Sequence, residues 1–252
     1  MRSDTRGVSE VLGYILVLSI VLASITVVST VGLGQIEEIR DVEQMNNAEA
    51  AFDLLATNLE DISQRGAPSR STEMQLATGE LALPSPISIR FKGLDGGTVA
   101  FNESYSIRPI EYRGTGSDRT VVYAGGAIFR TNGDSGTTVK SPSIIAADDR
   151  LSVPIIHTRA PNRVSTSGGT ARLRATHSQT VLLESDTTDT YERVFMNVTS
   201  PRARHWNETL SAYDEFSCSL DESGPVDQAE CHADDPALLN IVLVQIDVEI
   251  SD

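Results

Sequence analysis

The sequence predicts an α+β protein, with a long N-terminal helix followed by a mostly antiparallel β-domain. The first half of the helix is predicted to span a membrane, and the second half is predicted to be amphipathic. An uncharged apolar run lies near the start of the chain, and the next stretch has apolar residues at helical spacing. After Pro68, short strand-like runs alternate with Gly, Pro, Asn and Asp. The 252 residues are enough for one medium globular domain and an additional segment.

The composition excludes several classes of protein. The net charge of −15 argues against nucleic-acid binding, which needs a basic surface. Two cysteines are too few for a disulfide-dense scaffold or a four-thiolate zinc site. Lysine occurs only at Lys92 and Lys140, so 18 of the 20 basic residues are arginine. This acidic, lysine-poor composition resembles that of proteins from extreme halophiles, notably haloarchaea, although an ordinary acidic secreted domain is the alternative.

The apolar run covers residues 11–34 and contains no charged residue. A helix of this length extends roughly 36 Å, which is enough to cross a hydrocarbon core of about 30 Å. Arg2 and Arg6 precede the run, whereas Glu37 and Glu38 follow it. Because positive flanks stay cytoplasmic, we expect a single-pass protein with its N-terminus inside the cell and its C-terminal domain outside. A secretory signal or a buried core helix would account less well for a run this long.

Helical periodicity continues directly after the apolar run. One stripe at spacings of three and four consists of Met45, Ala48, Phe52, Leu55, Leu59 and Ile62. Ile36 and Ile39 fall on a different face, so the helix either changes its packing partner before Met45 or unwinds near Gly32 and Gly34. Gly66 and Pro68 are stop signals. We therefore divide the chain into residues 1–7, a helix over 8–65 and a β-rich domain over 68–252.

The N-terminal pattern has a family resemblance. The residues Arg6-Gly7-Val8-Ser9-Glu10-Val11-Leu12-Gly13 resemble the processing region of archaeal type IV pilin precursors. The resemblance covers residues 1 to about 65 and implies a prepilin-type leader that a prepilin peptidase removes between Gly7 and Val8. It also implies that other pilin subunits pack against the mature helix.

A physical reason supports cutting at this place. Moving Arg2 or Arg6 through the bilayer centre costs roughly 2.5–3.5 kcal/mol each, so their removal frees the helix to enter a bundle of like helices. Small residues that would permit close helix approach are Gly13, Ser19, Ala23, Ser24 and Ser29. Glu10 is a candidate assembly residue, because many bacterial pilins pair a carboxylate with a neighbouring terminal amine. An interfacial carboxylate facing cytoplasmic water is the alternative.

The β-domain is predicted to form a sandwich or wrapped sheet packed against the amphipathic stripe. Thr120–Arg130 is interpreted as one strand with a glycine bulge at Gly125 and Gly126. A short helix is predicted within 200–212. The stretch between Cys218 and Cys231 is interpreted as poor in strands. Further strands are expected at 73–83, 87–92, 98–102, 104–112, 136–139, 151–158, 170–178, 179–184, 191–199 and 238–250.

Two kinds of covalent modification are predicted outside the cell. Cys218 and Cys231 are expected to form a disulfide, with a metal site that includes His232 as the alternative. The sequons Asn102-Glu103-Ser104, Asn197-Val198-Thr199 and Asn207-Glu208-Thr209 are candidate glycosylation sites. Archaeal pilins and surface proteins are often glycosylated. The resemblance to archaeal pilins therefore favours glycosylation at these sequons.

The sequence contains none of the short catalytic motifs of zinc proteases, serine hydrolases or P-loop enzymes. We therefore expect a protein without enzymatic activity, cofactor or metal. The leading hypothesis is a pilin-like subunit of a type IV pilus-related surface filament, with a β-domain for adhesion or subunit contacts. The large size of the head favours a minor subunit. An unprocessed, single-pass surface-anchored binding protein is the alternative. An anchored extracellular hydrolase is a third hypothesis.

Overall fold

The computed structural model describes the backbone of residues 6–115, 118–133, 135–147, 150–160, 164–187 and 191–251, without the side chains of 6–10, 30–38 and 147. Within these ranges the chain forms an N-terminal helix followed by a mostly β-structure, so the predicted α+β class is confirmed. The chain divides into two units, Met1–Glu43 and Gln44–Asp252. We call the second unit the β-domain.

Helix α1 spans Arg6–Arg65. Its backbone is helical through Gly32 and Gly34, so the alternative of local unwinding is wrong. The helix ends at the predicted stop signal, where Gly66 has a φ of +70° and the Ala67 N–H donates to the Asp61 carbonyl at 3.2 Å. The left-handed conformation of Gly66 turns the chain away from the helix axis, and this bond fixes the reversed chain against the last turns of α1.

Besides the second half of α1, the described residues of the β-domain form fourteen strands and one short helix. The helix α2 covers Ala203–Leu210, inside the range predicted for it. The strands in chain order are β1 (Ser69–Ala82), β2 (Ile87–Asp95), β3 (Thr98–Ile107), β4 (Ile110–Arg113), β5 (Arg119–Ala124), β6 (Ala127–Asn132), β7 (Ser135–Lys140), β8 (Ile145–Ala147), β9 (Arg150–Arg159), β10 (Ser165–Asp186), β11 (Arg193–Thr199), β12 (Ser217–Asp221), β13 (Gln228–Asp234) and β14 (Leu238–Ser251).

The strands form two sheets. The larger has nine strands in the order β7-β6-β5-β4-β1-β10-β14-β9-β8, and the smaller has five in the order β12-β13-β11-β2-β3. The described strand pairs are antiparallel except for β14 with β9, which run parallel. The mostly antiparallel arrangement is therefore the predicted one.

Two hydrophobic cores cover opposite faces of the nine-stranded sheet. The helix-side core contains the whole predicted stripe of α1, with Phe52 and Leu59 fully buried, packed on residues such as Leu173 and Ile246. The sandwich core lies between the two sheets and includes Trp206 of α2. Complete burial of one large apolar side chain stabilises a fold by roughly 1.5–3 kcal/mol, so the stripe holds the second half of α1 on the sheet.

Strand β1 contains an irregularity that keeps its apolar residues on one face. Met74 and Leu76 enter the helix-side core at even positions, whereas Leu81 enters it at an odd position. The register with β10 breaks on both sides of Ala77, which has a φ of +50°. Because side chains alternate across a strand, this bulge restores the inward direction that a regular strand would lose.

Several predicted strand boundaries are wrong. The 120–130 segment is a hairpin of β5 and β6 rather than one bulged strand, because Gly125 and Gly126 have φ values of +58° and +101° and form its turn. Two consecutive left-handed residues reverse a chain, whereas a bulge needs only one. The strand expected at 104–112 is divided between β3 and β4, and β10 joins two predicted strands through an irregularity after His177.

Candidate functional site

The candidate site is the apolar segment of α1 over Val11–Ser29. These 19 residues have a mean hydropathy of 2.6, and none of the segment is buried within the described structure. At about 1.5 Å per residue the segment extends about 28 Å, close to the thickness of a hydrocarbon core. By its length and composition, this helix can cross a membrane.

Large apolar side chains point outward all around this segment. Tyr14 is 73% exposed, Val28 is 70% exposed and Leu12 is 60% exposed. An amphipathic helix carries its apolar residues on one side only, and that side is normally buried. Leaving each of them in water instead of an apolar environment costs on the order of 1.5–3 kcal/mol. The segment is therefore suited to an environment that is apolar on every side.

Two hydroxyl groups inside the segment bond to the helix itself. The Ser24 Oγ donates to the Ile20 carbonyl at 2.7 Å, and the Thr26 Oγ1 donates to the Leu22 carbonyl at 2.9 Å. This bonding to the carbonyl four residues earlier removes the penalty of an unpaired donor in an apolar medium. The polar atoms of these two residues are thus compatible with lipid or with a helix bundle.

The predicted small-residue positions lie on the exposed surface of the segment. A side-chain carbon added at Gly13 would meet no atom within 4 Å. Ser19, Ala23, Ser24 and Ser29 are also exposed. These positions are open to the approach of a second helix.

The predicted cleavage pair and assembly residue lie at the beginning of α1. The backbone is helical at Gly7, Val8 and Glu10, but their side chains lie outside the described residues. The predictions made for these positions stay predictions.

The predicted disulfide is present. Cys218 on β12 and Cys231 on β13 are bonded and directly opposite each other, with their Cα atoms 4.1 Å apart. The alternative of a metal site using these thiols and His232 is wrong, because both sulfur atoms are already in the disulfide. The interpretation of this stretch as poor in strands is also wrong. Acidic and polar residues alternate there with small buried ones such as Ala229 and Ala233, a pattern that sequence analysis had overlooked.

The three sequons lie in different environments. Asn102 is exposed on β3, and its side chain makes no hydrogen bond within the described part of the chain. The Asn197 Nδ2 donates to the Glu230 Oε1 at 3.4 Å, and the Asn197 Oδ1 is buried. The Asn207 Oδ1 is also buried, on helix α2.

Two surface cavities of the β-domain contain arginine side chains that are paired with carboxylates. A cavity of about 670 Å³ includes Arg172, whose guanidinium contacts Glu73. A cavity of about 510 Å³ includes Arg202 and Arg204, which pair with Glu111 and Glu222. These charges hold elements of the domain together. Among the described residues, no group of three or more His, Cys, Asp or Glu could hold a metal ion.

Sequence analysis missed a buried ion pair. Glu111 is only 5% exposed, and its Oε2 accepts a hydrogen bond from the Arg202 Nη2 at 2.7 Å. The more exposed Arg113 donates to the other carboxylate oxygen at 2.8 Å. The contact joins β4 to the residue before α2, which are 91 positions apart in the sequence. No local pattern could have indicated such a pairing.

A protein-family model matches most of the chain. The model of the family of unknown function DUF7289 matches residues 6–249. The chain belongs to this family. Because the match begins with α1 and reaches β14, the DUF7289 family model includes both the apolar helix and the β-domain.

The remaining comparisons do not extend this result. No curated protein matches the sequence. Among solved structures, the crystal structure of the ywiB protein from Bacillus subtilis aligns with 68% of this chain and 98% of its own, at 6% identity and a TM-score of 0.17. That likeness carries no argument about the fold or the function of the DUF7289 chain.

Proposed function

We propose that this protein is a pilin-like subunit, of the minor type, in a type IV pilus-related surface filament of a halophilic archaeon. The observation that supports the proposal is the helix α1. Its exposed apolar segment, Val11–Ser29, begins within the prepilin-like residues 6–13, and the same helix continues into the amphipathic stripe of the β-domain. A membrane anchor needs only the apolar segment, whereas a filament subunit needs both halves and the cleavage pattern.

The proposed mechanism is assembly. The apolar segment anchors the precursor in the membrane, with Arg2 and Arg6 on the cytoplasmic side. A prepilin peptidase cuts between Gly7 and Val8 and removes both arginines, each of which would cost roughly 2.5–3.5 kcal/mol at the bilayer centre. The shortened helix then leaves the lipid for an equally apolar bundle of helices from other subunits. Glu10 is the candidate residue for pairing with a neighbouring terminal amine.

The placement of the β-domain outside the cell is part of the proposal. The Cys218–Cys231 disulfide supports it, because disulfides persist in oxidising compartments. The scarcity of lysine and the net charge of −15 support a high-salt environment, in which carboxylates keep a surface hydrated. From this position the β-domain can contact cells, surfaces or other subunits, which makes adhesion its proposed role.

The deciding experiment is mass spectrometry of the mature N-terminus. The full chain is produced in an archaeal host with and without its prepilin peptidase, and we expect a chain that begins at Val8 only when the peptidase is present. Gly7→Val should block the cut by placing a branched side chain at the scissile bond. Gly32→Val is the matched control and should be processed normally, because Gly32 lies outside residues 6–13 and far along the chain from the scissile bond.

The outcomes separate the two hypotheses. A chain cut before Val8 and recovered in material sheared from the cell surface supports the filament subunit. An intact N-terminus at Met1 in cells with active peptidase contradicts it and favours the unprocessed surface-anchored binding protein.

A further inference from the structure

Asn102 differs from the other two sequon asparagines in its accessibility. It lies on the outer face of the five-stranded sheet with an exposed side chain. Asn197 lies on the third strand of five, with its amide bonded to Glu230, and Asn207 lies on α2 with a buried amide oxygen. Transfer of a sugar requires the amide nitrogen to enter the active site of another enzyme. In the folded domain, Asn102 best meets this requirement.

Asn102 lies on the longest free edge among the described strands. Strand β3 has 10 residues and forms one edge of its sheet. The other edge strands are shorter: β12 has 5 residues, β7 has 6 and β8 has 3. An exposed edge can pair with the edge of another chain, and short strands, lysine or proline normally prevent this. Strand β3 contains neither lysine nor proline, and Val99 on it is 53% exposed.

The backbone groups of the sequon point toward this free edge. The Ser106 carbonyl oxygen lies 2.9 Å from the His157 Nε2 of β9, so it points away from the partner strand β2. The N–H and C=O of a residue point to the same side of a strand, and alternate residues share that side. The backbone groups of Ser104 and Asn102 therefore also point away from β2, where no neighbouring strand satisfies them.

We propose that Asn102 carries an N-linked oligosaccharide that covers the free edge of β3, while Asn197 and Asn207 stay unmodified. The inference rests on the proposed position of the β-domain outside the cell. In the transfer, the Asn102 Nδ2 forms a bond to the anomeric carbon of a lipid phosphate-linked oligosaccharide. The bond from that carbon to the phosphate oxygen breaks, the lipid phosphate leaves with the electron pair, and the amide gives one proton to a base of the transferase.

Tryptic peptides separate the three sequons, which makes the test direct. Cleavage after lysine and arginine, except before proline, places Asn102 on the peptide 93–113, Asn197 on 194–202 and Asn207 on 205–252. The full chain is isolated from the membranes of an archaeal host that glycosylates its surface proteins. We expect a glycan mass on the 93–113 peptide and none on the other two. An unmodified 93–113 peptide, or a glycan on either of the other peptides, overturns the proposal.

A pair of serine variants tests the role of the glycan at the edge. Ser104→Ala destroys the sequon and retains Asn102, whereas Ser106→Ala changes an exposed serine on the same strand and leaves the sequon intact. In sedimentation velocity of the detergent-extracted protein, we expect additional self-association for Ser104→Ala alone. Adding Val99→Lys to Ser104→Ala should reverse it by placing a charge on the edge. Equal sedimentation of Ser104→Ala and Ser106→Ala contradicts the protective role.

The experiments distinguish failure of the glycan proposal from failure of the filament proposal. A chain that begins at Val8 and has an unmodified Asn102 contradicts only the glycan. A chain that retains Met1 and carries the glycan on Asn102 contradicts only the filament subunit.

Discussion

Leu243 and Val244 are neighbours on β14, yet they are buried in different cores. Leu243 belongs to the sandwich core and Val244 to the helix-side core, and their side chains are 0% and 3% exposed. Before this point the strand buries odd positions such as Ile241, and after it the strand buries even positions such as Ile246. The alternation of the strand is regular, but the face that is covered changes. The nine-stranded sheet therefore contributes side chains to both the helix-side core and the sandwich core.

Truncation at this junction should weaken the fold. Leu243→Ala removes a fully buried side chain, and we expect a loss of about 2–5 kcal/mol in the free energy of unfolding. Leu182 on β10 is 59% exposed, so Leu182→Ala should change the free energy by no more than about 0.5 kcal/mol. Urea unfolding of the full chain in detergent measures both. Similar losses for the two variants would contradict this description of the sandwich core.

The buried ion pair should also be critical. Arg202→Ala leaves the Glu111 carboxylate buried without its shorter contact, and we expect a loss of about 3–5 kcal/mol. Arg113 is 61% exposed in its side chain, so Arg113→Ala should cost at most about 1 kcal/mol. The double variant Glu111→Gln/Arg202→Met should recover much of the stability, because it removes both charges together. Failure of that recovery would indicate that Arg202 acts by its packing alone.

The β-domain should lose stability as the medium becomes acidic. Burial lowers the pKa of His157 below its usual 6.5, and the nearby positive charge of Arg159 lowers it further. The hydrogen bond to the Ser106 carbonyl and the negative charge of Asp247 act in the opposite direction, but the pKa remains lowered. The unfolded chain therefore binds a proton at a higher pH than the folded chain does. Stability from this group is fully present above pH 6.5 and declines as the pH falls below that value toward the folded pKa.

The pH effect is measured by urea unfolding of the full chain between about pH 7 and 5. We expect His157→Gln to show a smaller loss of stability over this range than the wild type. His177→Gln changes an exposed histidine and is the control, which should retain the wild-type slope. An equal slope in the His157 variant would show that carboxylates alone cause the pH dependence.

The disulfide should stabilise one edge of the smaller sheet. Replacing both Cys218 and Cys231 by alanine should cost about 2–4 kcal/mol, the usual contribution of such a link. Glu222 lies exposed in the connection between β12 and β13, so a glutamate-specific protease can test the local effect. We expect faster cleavage at Glu222 in the variant. In the wild type, the fragments cut there should separate only after reduction.

The N-terminal half of the fold could be predicted from the sequence because its signals are local. An uninterrupted apolar run, a stripe at spacings of three and four, and a glycine before proline can each be recognised within one continuous stretch of the sequence. Nonlocal contacts explain what was missed. The sequence around Gly125 and Gly126 is compatible with either a hairpin turn or a bulged strand. Only the pairing of β5 with β6 distinguishes the two structures. The small residues of β13 are buried only because Trp206 and the larger sheet cover them.

The sequence by itself determined that α1 is a long helix with an apolar half and an amphipathic half, that β-structure follows it, and that three asparagines lie in sequons. The tertiary structure alone decided which face of each strand is covered, which carboxylate is buried with Arg202, and which sequon lies on a free edge. The physical reason is the range of the interactions. Helix periodicity and capping act between residues a few positions apart, whereas burial and strand pairing depend on segments that meet only after the chain has folded.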